Sequence, residues 1–582
     1  MTEATQAKIP GHLRKYVVEQ NYARYTPQDQ AVWRFIMRQL KSFLAEHAHS
    51  SYLQGLSKSG LSVERIPRIT EVDEHLEKFG WGAVPVSGFI PPAAFMEFQA
   101  IGVLPIASDM RTADHLLYTP APDIVHEAAG HAPILTEPEY AAYLRQYGEI
   151  ARHSIISKED MSQYEAIRVL SDIKEDSSST PADIRASEAA LVRINSTLTK
   201  TSEAALLSRM NWWTAEYGLI GDMKSPRIYG AGLLSSAGEA RACLQSKVKK
   251  IPLSVDCVNY AYDITEQQPQ LFVSRDFAHL GEVLEQLAGG LAYRKGGAFG
   301  LDRAIEAGTV NSVQLNSGIQ ISGTLANYSK DSKGQPAYLK FEGPSQLATE
   351  YTELDGQGVR RHAHGFSSPV GLVKNQSRCL SLFSPADLEK LGLQRGRRAM
   401  LEFASGVRVE GQVAGWTYHG NSLVIITWTD CTVTLASQRL FDPAWGEFDM
   451  AVGSVVDSVF GGPADRSSFG ETDDFVAKVI PPKGYSSAQL ERHRFYDKLR
   501  DLRQSVPSVD TRAGYDNLLR EYLADAKRDW LQGIELLELS FKMKEPAVAR
   551  AELLQTLAPE SFADPAAREC VREGVALAQA SL

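Results

Sequence analysis

The sequence predicts a multidomain protein with a mainly α-helical N-terminal domain, a β-rich domain of sandwich or barrel type, and an α-helical C-terminal segment. The length of 582 residues is about four times that of a common ~150-residue domain, so more than one core is expected. Apolar residues follow helical spacing to about residue 300, then alternate with polar residues, and resume helical spacing near residue 485. These changes place the domains at 1–300, 305–480 and 485–582.

The first domain shows several helical stretches. Apolar residues at three- and four-residue spacing predict a helix between Tyr22 and Leu44. A second helix is expected from Glu137 to Ile150, because Pro138 stands where a first helical turn accepts proline. A long polar helical segment at about 151–205 is interrupted by the serine-rich sequence 176–181, which is typical of a loop between two helices.

The second domain is predicted from short alternating segments separated by glycines. Val313–Leu315, Ile319–Ile321 and Val407–Glu410 alternate apolar and polar residues, and Leu423–Trp428 is typical of a buried strand. Several such strands within about 150 residues favour a sandwich or a barrel. Beyond the proline pair at 481–482, helical spacing returns and predicts the C-terminal helices.

Composition narrows the classes of function. The net charge of −10 argues against a phosphate-binding surface, so we expect no nucleic-acid partner. The polar N-terminus and the lack of an apolar run of about 20 residues argue against a leader peptide and a membrane partner. Five dispersed cysteines without a CxxC pair favour a reducing compartment. We therefore expect a cytoplasmic protein.

The segment Pro122–His131 has the strongest chemical content. His126 and His131 enclose Glu127, but five residues on a regular helix separate two side chains by about 140°, so a shared metal requires a local distortion. Gly130 beside the second histidine can permit a widened turn. Glu216, in an aromatic segment, is a candidate third ligand, and two histidines with one carboxylate form the facial triad of non-haem iron enzymes. From these residues alone, metal binding stays open.

Three blocks in this order resemble the tetrahydropterin-dependent aromatic amino acid hydroxylases. The family's signature Pro-Asp-x-x-His-Glu-x-x-Gly-His-x-Pro matches Pro122 through Pro133. Tyr229–Glu239 is similar to the family's sequence after its glutamate ligand, and Ile264–Pro269 with Leu271–Val273 is similar to its distal substrate loop. The resemblance covers roughly residues 80–280 and implies that the N-terminal domain has the fold of this family.

The resemblance implies a role for each matched residue. It assigns iron binding to His126, His131 and Glu216, and catalytic positions to Glu127 and Tyr118. It assigns substrate binding to Arg111, which pairs with the amino acid carboxylate, and to Thr119, Pro122, Asp123, Trp212 and Ser235. It assigns pterin binding to Phe89, Ile90, Phe95 and Glu127.

The implied activity is a monooxygenase reaction on a small-molecule amino acid. The cofactors are Fe(2+) and a tetrahydropterin (tetrahydrobiopterin or a related compound), with O2 as cosubstrate. The expected reaction converts L-phenylalanine to L-tyrosine. Tryptophan, tyrosine or a non-aromatic amino acid stays open as substrate, and so do a zinc hydrolase with Glu127 as general base and a non-catalytic assembly or sensing protein.

Several features depart from the family or lie outside it. Asn211 stands where a tyrosine is usual, Ala128 and Ala129 replace bulkier residues, and the inserted segment near 151–205 lengthens the interval before Glu216. This insertion or the C-terminal half is a candidate surface for a homo-oligomer. The pair His362 and His364 is interpreted as a solvated polar loop, and the role of the β-rich domain stays open.

Overall fold

A computed structural model describes residues 1–88, 90–113, 116, 122–175, 179–262, 267–470, 484–525, 528–543 and 547–580. The helices of its first part are α1 (Glu3–Lys8), α2 (Pro27–His47), α3 (Ser51–Lys58), α4 (Ile69–Leu76), α5 (Pro92–Ala100), α6 (Ala132–Ile134), α7 (Pro138–Ala151), α8 (Lys158–Glu175), α9 (Pro181–Thr197), α10 (Glu203–Asn211), α11 (Ala231–Leu234), α12 (Ala237–Cys243), α13 (Phe277–Ala288), α14 (Ala292–Lys295) and α15 (Gly297–Ala307).

Small sheets accompany these helices. Their strands are β1 (Gly82–Val86), β2 (Val103–Ala107), β3 (Leu219–Ile220), β4 (Arg227–Ile228), β5 (Lys249–Pro252) and β6 (Gln270–Ser274). β1 and β2 pair in parallel, and a second sheet has the order β4-β3-β6-β5. α5 connects β1 to β2, so the short parallel sheet fixes both ends of this helix.

The first two predicted helices are present, and the first of them begins later in the chain than predicted. The stretch from Tyr22 to Leu44 is not one helix, because Tyr22–Arg24 forms a 3-10 turn and α2 begins at Pro27. A capping box sets this start: the Thr26 side chain accepts from the Asp29 amide, and the Asp29 carboxylate accepts from the Thr26 amide. α7 begins at Pro138, as predicted.

The insertion forms a hairpin of α8 and α9. The two helices run antiparallel, since Gln163 bonds Asn195 at 2.8 Å near one end and Lys174 pairs with Glu188 at 3.0 Å near the other. Residues 176–178 of the predicted loop lie outside the described residues, and a capping box at Thr180 starts the second helix.

The middle region is antiparallel. Its strands are β7 (Val310–Leu315), β8 (Ile319–Lys330), β9 (Pro336–Thr349), β10 (Thr352–Glu353), β11 (Gly365–Pro369), β12 (Arg398–Glu402), β13 (Val407–His419), β14 (Ser422–Leu435), β15 (Gln438–Phe441), β16 (Phe448–Ala451) and β17 (Val456–Gly461), with short helices α16 (Pro385–Lys390) and α17 (Arg466–Phe469). One sheet has the order β10-β9-β8-β7-β17 with β11 beside β9, and the other has β12-β13-β14-β15 with β16 beside β14.

The two sheets share apolar side chains. Val424 and Ile425 of β14 belong to the same buried cluster as Leu325 and Phe341 of the first sheet. The strand predicted at Leu423–Trp428 is therefore confirmed as a buried part of β14. The interpretation of His362 as solvated is wrong: its imidazole is buried and lies 2.8 Å from Gln357 Oε1, whereas His364 is exposed.

The C-terminal helices pack on the N-terminal region. They are α18 (Ser487–Gln504), α19 (Val509–Ala524), α20 (Trp530–Lys542), α21 (Ala547–Thr556) and α22 (Pro565–Ala580). Buried side chains of α18, α20 and α22 belong to the same apolar cluster as those of α2. Arg34 of α2 forms a buried bidentate pair with Glu535 of α20, with both N–O distances 3.0 Å.

All five cysteines are free thiols with buried side chains. Within the described ranges, every helix is too short or too polar to cross a lipid bilayer.

Candidate active site

A π-helical turn brings the two predicted histidine ligands together. Val125–His131 has this wider helical form, in which each turn closes between residues five apart, so His126 and His131 lie on one face. Their ring centroids are 5.2 Å apart. The widened turn predicted from the sequence is present, and it resolves the 140° separation that a regular α-helix imposes.

Gly130 permits a close approach of α11 to this turn. A Cβ atom on Gly130 would stand 2.6 Å from the Ala231 carbonyl oxygen. The neighbouring residues Ala128 and Ala129 are completely buried, and the Tyr52 hydroxyl donates to the Ala129 carbonyl at 3.0 Å. Small residues are therefore required here because other backbone segments lie directly against the turn.

A second π-helical turn, Trp212–Glu216, supplies the predicted third ligand. Glu216 Oε2 lies 3.2 Å from His126 Nε2, and Glu216 Oε1 lies 3.4 Å from His131 Nε2. One ligand atom from each of the three residues lies within 4.8 Å of the other two. Two imidazoles and one carboxylate at this spacing form the facial donor set that suits a mononuclear non-haem metal ion.

The environment of these donors fits a metal ligand set. His131 is buried, and neither of its ring nitrogens has a hydrogen-bond partner among the described residues. An unsatisfied buried imidazole is costly, and metal coordination removes that cost. Burial opposes ionisation of Glu216, but the imidazoles of His131 and His126 hold the pKa of this carboxyl far below its usual value. The donor set is therefore ready to bind a cation.

Ser235 sets the orientation of His126. Its hydroxyl donates to the Ala231 carbonyl at 2.7 Å and lies 3.2 Å from His126 Nδ1. Because the hydroxyl hydrogen is already used, the serine oxygen accepts from Nδ1–H, and Nε2 is the nitrogen left to bind a metal ion together with Glu216. This arrangement matches the hydrogen-bonded second nitrogen that metal-binding histidines commonly have.

Arg111 is buried beside the donor set and is oriented by Asp123. Its Nε and Nη2 each donate to Asp123 at 2.7 Å, and its Nη1 donates to the Ser235 carbonyl at 3.4 Å. Asp123 also accepts from the His126 amide at 3.0 Å. Burial opposes ionisation of Asp123, but the Arg111 guanidinium holds the pKa of this carboxyl below its usual value. Arg111, Asp123, His126 and Ser235 thus form one continuous network.

Aromatic rings form a wall of the same cleft. Trp212 lies between Tyr217 and Tyr262, with centroid distances of 4.5 and 4.4 Å and nearly parallel planes. Pro122 also lines the cleft. Asn211 Nδ2 lies 3.4 Å from Glu216 Oε1, so the residue that departs from the family directly contacts the predicted carboxylate ligand.

The predicted pterin-binding residues that the structure describes line the same cleft. Phe95 on α5 is half-buried, Ile90 is buried, and both line the cleft together with Glu127. Burial raises the pKa of Glu127 to about 8, and its Oε2 lies 3.9 Å from His131 Nε2. The whole cleft has a volume of ≈ 2530 Å³.

Three predicted site residues, Phe89, Tyr118 and Thr119, lie outside the described residues, as does part of the block Ile264–Pro269. The remaining predicted residues line this cleft or contact a residue that does; they are Ile90, Phe95, Arg111, Pro122, Asp123, His126, Glu127, His131, Trp212, Glu216 and Ser235. Their individual roles stay predictions.

Sequence reasoning missed other residues of the cleft. Tyr262 stacks on Trp212 and stands next to the third resembling block, so its place in the sequence was a usable signal. His12, Glu97 and Arg466 also line the cleft. Arg466 carried no signal, because it follows Glu216 by 250 residues and lies in the β-rich region.

The fold and the donor set define a class of protein: an enzyme with a two-histidine, one-carboxylate metal centre beside a buried arginine in an aromatic-lined cleft. Residues 12–167 and 187–295 match the family described as biopterin-dependent aromatic amino acid hydroxylase. The interruption at 168–186 falls on the α8–α9 hairpin.

Named relatives match about half of the chain. The phenylalanine-4-hydroxylase of Mesorhizobium japonicum is 28% identical over 274 residues, which are 46% of this chain and 83% of that protein. The phenylalanine-4-hydroxylase of Pseudomonas aeruginosa is 28% identical over 282 residues, 48% of this chain and 90% of that protein. A crystal structure of Chromobacterium violaceum phenylalanine hydroxylase with iron(III) and 7,8-dihydrobiopterin aligns with a TM-score of 0.36 at 25% identity, covering 50% of this chain and 94% of that one.

Over residues 12–295, with an interruption at 168–186, the chain is similar to the biopterin-dependent aromatic amino acid hydroxylase family. It is an enzyme of the pterin-dependent hydroxylase type, which replaces the zinc-hydrolase and non-catalytic alternatives. The family match ends at residue 295, so the β-rich region and the C-terminal helices lie outside it.

Proposed function

We propose that the chain converts L-phenylalanine to L-tyrosine with O2, using Fe(2+) and a tetrahydropterin. The observation that carries the proposal is the placement of His126, His131 and Glu216 in one cleft with the buried Arg111. The phenylalanine-4-hydroxylases among the relatives support this substrate.

The donor chemistry supports Fe(2+) as the metal. His126, His131 and Glu216 offer two neutral nitrogens and one carboxylate, a set that leaves coordination positions for other ligands. The match to a biopterin-dependent family supports the pterin as cofactor. When bound, iron(II) and the reduced pterin supply the activation of O2 for transfer of one oxygen atom to the aromatic ring.

Arg111 is suited to bind the substrate carboxylate. Of its five N–H groups, two donate to Asp123 and one to the Ser235 carbonyl. One N–H therefore remains on each terminal nitrogen, and two such donors can bind both oxygens of a carboxylate. Because Arg111 is buried, this charged pair forms in a poorly solvated place, where it is stronger than at a surface.

The aromatic wall holds the substrate ring. Tyr217 and Tyr262 stack on the two faces of Trp212 and so restrict its movement, which gives the pocket a fixed apolar edge. Arg111 fixes one end of the amino acid and this wall limits the ring at the other. Such positioning contributes several kcal/mol to a rate by removing the entropy cost of orientation. We assign Phe95 to stacking on the pterin, and Ile90 and Glu127 to contacts with its ring.

A second substrate class has one observation in its favour. Among the described residues, Asn211 Oδ1 and Trp212 Nε1 are buried without a hydrogen-bond partner. A substrate ring with a polar group, as in tryptophan or tyrosine, offers a partner to such atoms, whereas the ring of phenylalanine does not. These two amino acids are therefore the second candidates.

An amino acid panel tests the proposal. The iron-loaded protein is incubated in air with tetrahydrobiopterin and each of the twenty amino acids in a separate reaction, and products are identified by mass spectrometry. We expect one product, tyrosine formed from phenylalanine. If hydroxytryptophan or dihydroxyphenylalanine is the main product, the substrate is tryptophan or tyrosine instead of phenylalanine. The absence of any oxygenated product from an iron-loaded protein would refute the proposed activity.

We also propose a cytoplasmic location and self-association. The five free thiols support a reducing compartment. Exposed apolar residues Met161, Val169 and Val192 on the α8–α9 hairpin support a contact between copies there.

A further inference from the structure

The β-rich region reaches the predicted pterin side of the cleft through the segment that follows β17. Arg466 and Ser467, at the start of α17, line the cleft together with Phe95 and Glu97 of α5. Both lie well beyond residue 295, where the family match ends. The cleft wall near α5 is thus built from two distant parts of the chain.

Arg466 and His12 hold the carboxylate of Glu97. Arg466 Nη1 lies 3.1 Å from Glu97 Oε2, and His12 Nε2 lies 2.9 Å from Glu97 Oε1. Ser467 continues the network, since its Oγ lies 3.0 Å from His12 Nδ1. The carboxylate of Glu97 is only 7% exposed, so it depends on these partners.

Arg466 also binds a second helix. Its Nη2 donates to the Arg152 carbonyl at 2.8 Å, directly after the end of α7. At the same place Gly461 of β17 lies so close to the chain that an added Cβ would overlap the Ser154 carbonyl oxygen. One guanidinium therefore joins α5, α7 and the β-rich region, and the tight backbone contact leaves it little freedom to move.

This junction lies on the helix that carries Phe95. Ile90, Ala94 and Phe98 of the α5 region pack in a small apolar cluster with Leu13 of the first 3-10 turn, and Phe95 packs against that cluster. α5 also packs closely on α7, where a Cβ on Gly148 would stand 2.6 Å from the Ala100 amide nitrogen, so Arg466 adds a polar restraint where these two helices meet. Glu97 lies two residues from Phe95 on the same helix.

We propose that Arg466 is a positioning residue for the pterin site, so that the β-rich region completes the binding of a planar reduced pterin. This inference rests on the proposed function, which places the pterin on Phe95. Arg466 acts through Glu97 and α5, and its loss frees a buried carboxylate and the helix that carries the stacking ring. The free protein then samples binding-competent positions less often, which lowers the apparent affinity.

The test measures pterin binding directly. Calorimetric titration of the full-length chain with 7,8-dihydrobiopterin compares the parent with Arg466→Ala, Arg466→Lys and Glu97→Gln. We expect Arg466→Ala to weaken binding about tenfold, with Arg466→Lys between it and the parent because lysine keeps the charge but loses the fork. In the iron-loaded enzyme, the KM for tetrahydrobiopterin rises while the KM for phenylalanine is unchanged.

Arg398→Ala is the matched control. Arg398 also belongs to the β-rich region, but it pairs with the exposed Glu410 and Asp430, and its loss is expected to leave binding unchanged. If Arg466→Ala does not fold, Glu97→Gln and Arg466→Lys, which keep nearly the same volume, decide the question. Binding equal to the parent in the folded variants overturns the inference, while a parent that does not bind dihydrobiopterin overturns the pterin assignment itself and the inference with it.

Discussion

Arg111 is the residue whose geometry most directly predicts a specific recognition. Lysine in its place has a single nitrogen, so it cannot pair bidentately with Asp123 and with a substrate carboxylate at the same time. We expect Arg111→Lys to raise the KM for phenylalanine about 10- to 100-fold, equivalent to about 1.4–2.8 kcal/mol. Steady-state kinetics with phenylalanine and phenylalaninamide check this.

The amide provides the internal control for that experiment. The parent is expected to prefer the acid strongly, whereas Arg111→Lys discriminates less between the two compounds. An unchanged preference for the acid in the variant would show that another group binds the carboxylate.

Glu239, in the cleft wall, gives a pH-dependent stability. Burial raises the pKa of Glu239 to about 7 from 4.5, so the folded state holds a proton that the unfolded chain releases. The extra proton contributes fully to the free energy of unfolding below the pKa that Glu239 has in the unfolded chain, and this contribution is lost as the pH rises through 7. The free energy of unfolding therefore falls by about 1–3 kcal/mol between these two pH values. Urea midpoints at acid and neutral pH measure it.

Glu239→Gln is expected to remove that part of the pH dependence, because the amide does not titrate. Glu282→Gln, at an exposed position, is the control and is expected to keep the parent's profile. Identical profiles for the parent and Glu239→Gln would contradict the buried, protonated carboxyl.

At the residue level, much of the candidate site could be predicted from the sequence. His126, His131 and Glu216 were predicted from matched blocks, and the structure brings their ligand atoms together. The contacts of Asn211 with Glu216 and of Tyr262 with Trp212 were not predicted. The first contact spans five residues and depends on the π-helical turn at Trp212–Glu216. The second joins residues that are distant in the sequence, which local spacing does not encode.

At the level of elements, the two π-helical turns are the features that build the metal site. Gly130 allows α11 to lie against the first turn, and alanine there places a Cβ 2.6 Å from the Ala231 carbonyl oxygen. We expect Gly130→Ala to cost about 1–3 kcal/mol of stability, since the backbone cannot yield without a shift. Thermal unfolding and metal affinity are the measurements.

Gly289→Ala is the matched control for that substitution. Its Cβ would meet the nearest atom, the Glu285 carbonyl oxygen, at an ordinary distance of 3.6 Å. Equal stability of Gly130→Ala and Gly289→Ala would show that the close contact with α11 is not needed.

Local sequence patterns predicted some helices and turns better than others. α2 begins five residues after Tyr22, and the signal for this start is the capping box and proline at Thr26, Pro27 and Asp29. Apolar spacing alone did not reveal this start. The first π-helical turn was inferred from the five-residue histidine interval. The turn at Trp212–Glu216 was not predicted, because Glu216 is a single ligand and provides no interval to interpret.

At the scale of the whole molecule, the C-terminal helices stabilise the catalytic half. Glu535 of α20 lies buried between Arg34 of α2 and Arg503 of α18, at 3.0 and 2.9 Å. We expect Glu535→Ala to cost about 3–5 kcal/mol, because it leaves the buried Arg34 guanidinium without its carboxylate and removes one of the two carboxylates that pair with Arg503. Chemical unfolding followed by tryptophan fluorescence measures this loss.

Glu521→Ala tests the same kind of pair at the surface. Glu521 pairs with the exposed Lys498, so its loss is expected to cost less than about 1 kcal/mol. If Glu535→Ala and Glu521→Ala lower the free energy of unfolding by the same small amount, the C-terminal helices do not stabilise α2 through the Arg34–Glu535 ion pair.

The arrangement of the whole chain was the least predictable part. Helical and β-rich regions followed from periodicity, but the packing of α20 on α2 depends on residues 501 positions apart. The same holds for Arg466 and Glu97, which are 369 positions apart. No local pattern encodes such contacts, so the contact between the β-rich region and α5 became visible only in the structure.

The most direct test of the proposed hydroxylase follows oxygen from the gas to the product. The iron-loaded chain is supplied with tetrahydrobiopterin, L-phenylalanine and isotopically heavy O2, with His131→Ala as the variant that lacks one predicted ligand. We expect tyrosine with one heavy oxygen atom from the parent, and neither retained iron nor tyrosine from His131→Ala. The account would be contradicted if an iron-loaded, pterin-bound parent returned only unlabelled phenylalanine. It would also be contradicted if His131→Ala produced heavy tyrosine.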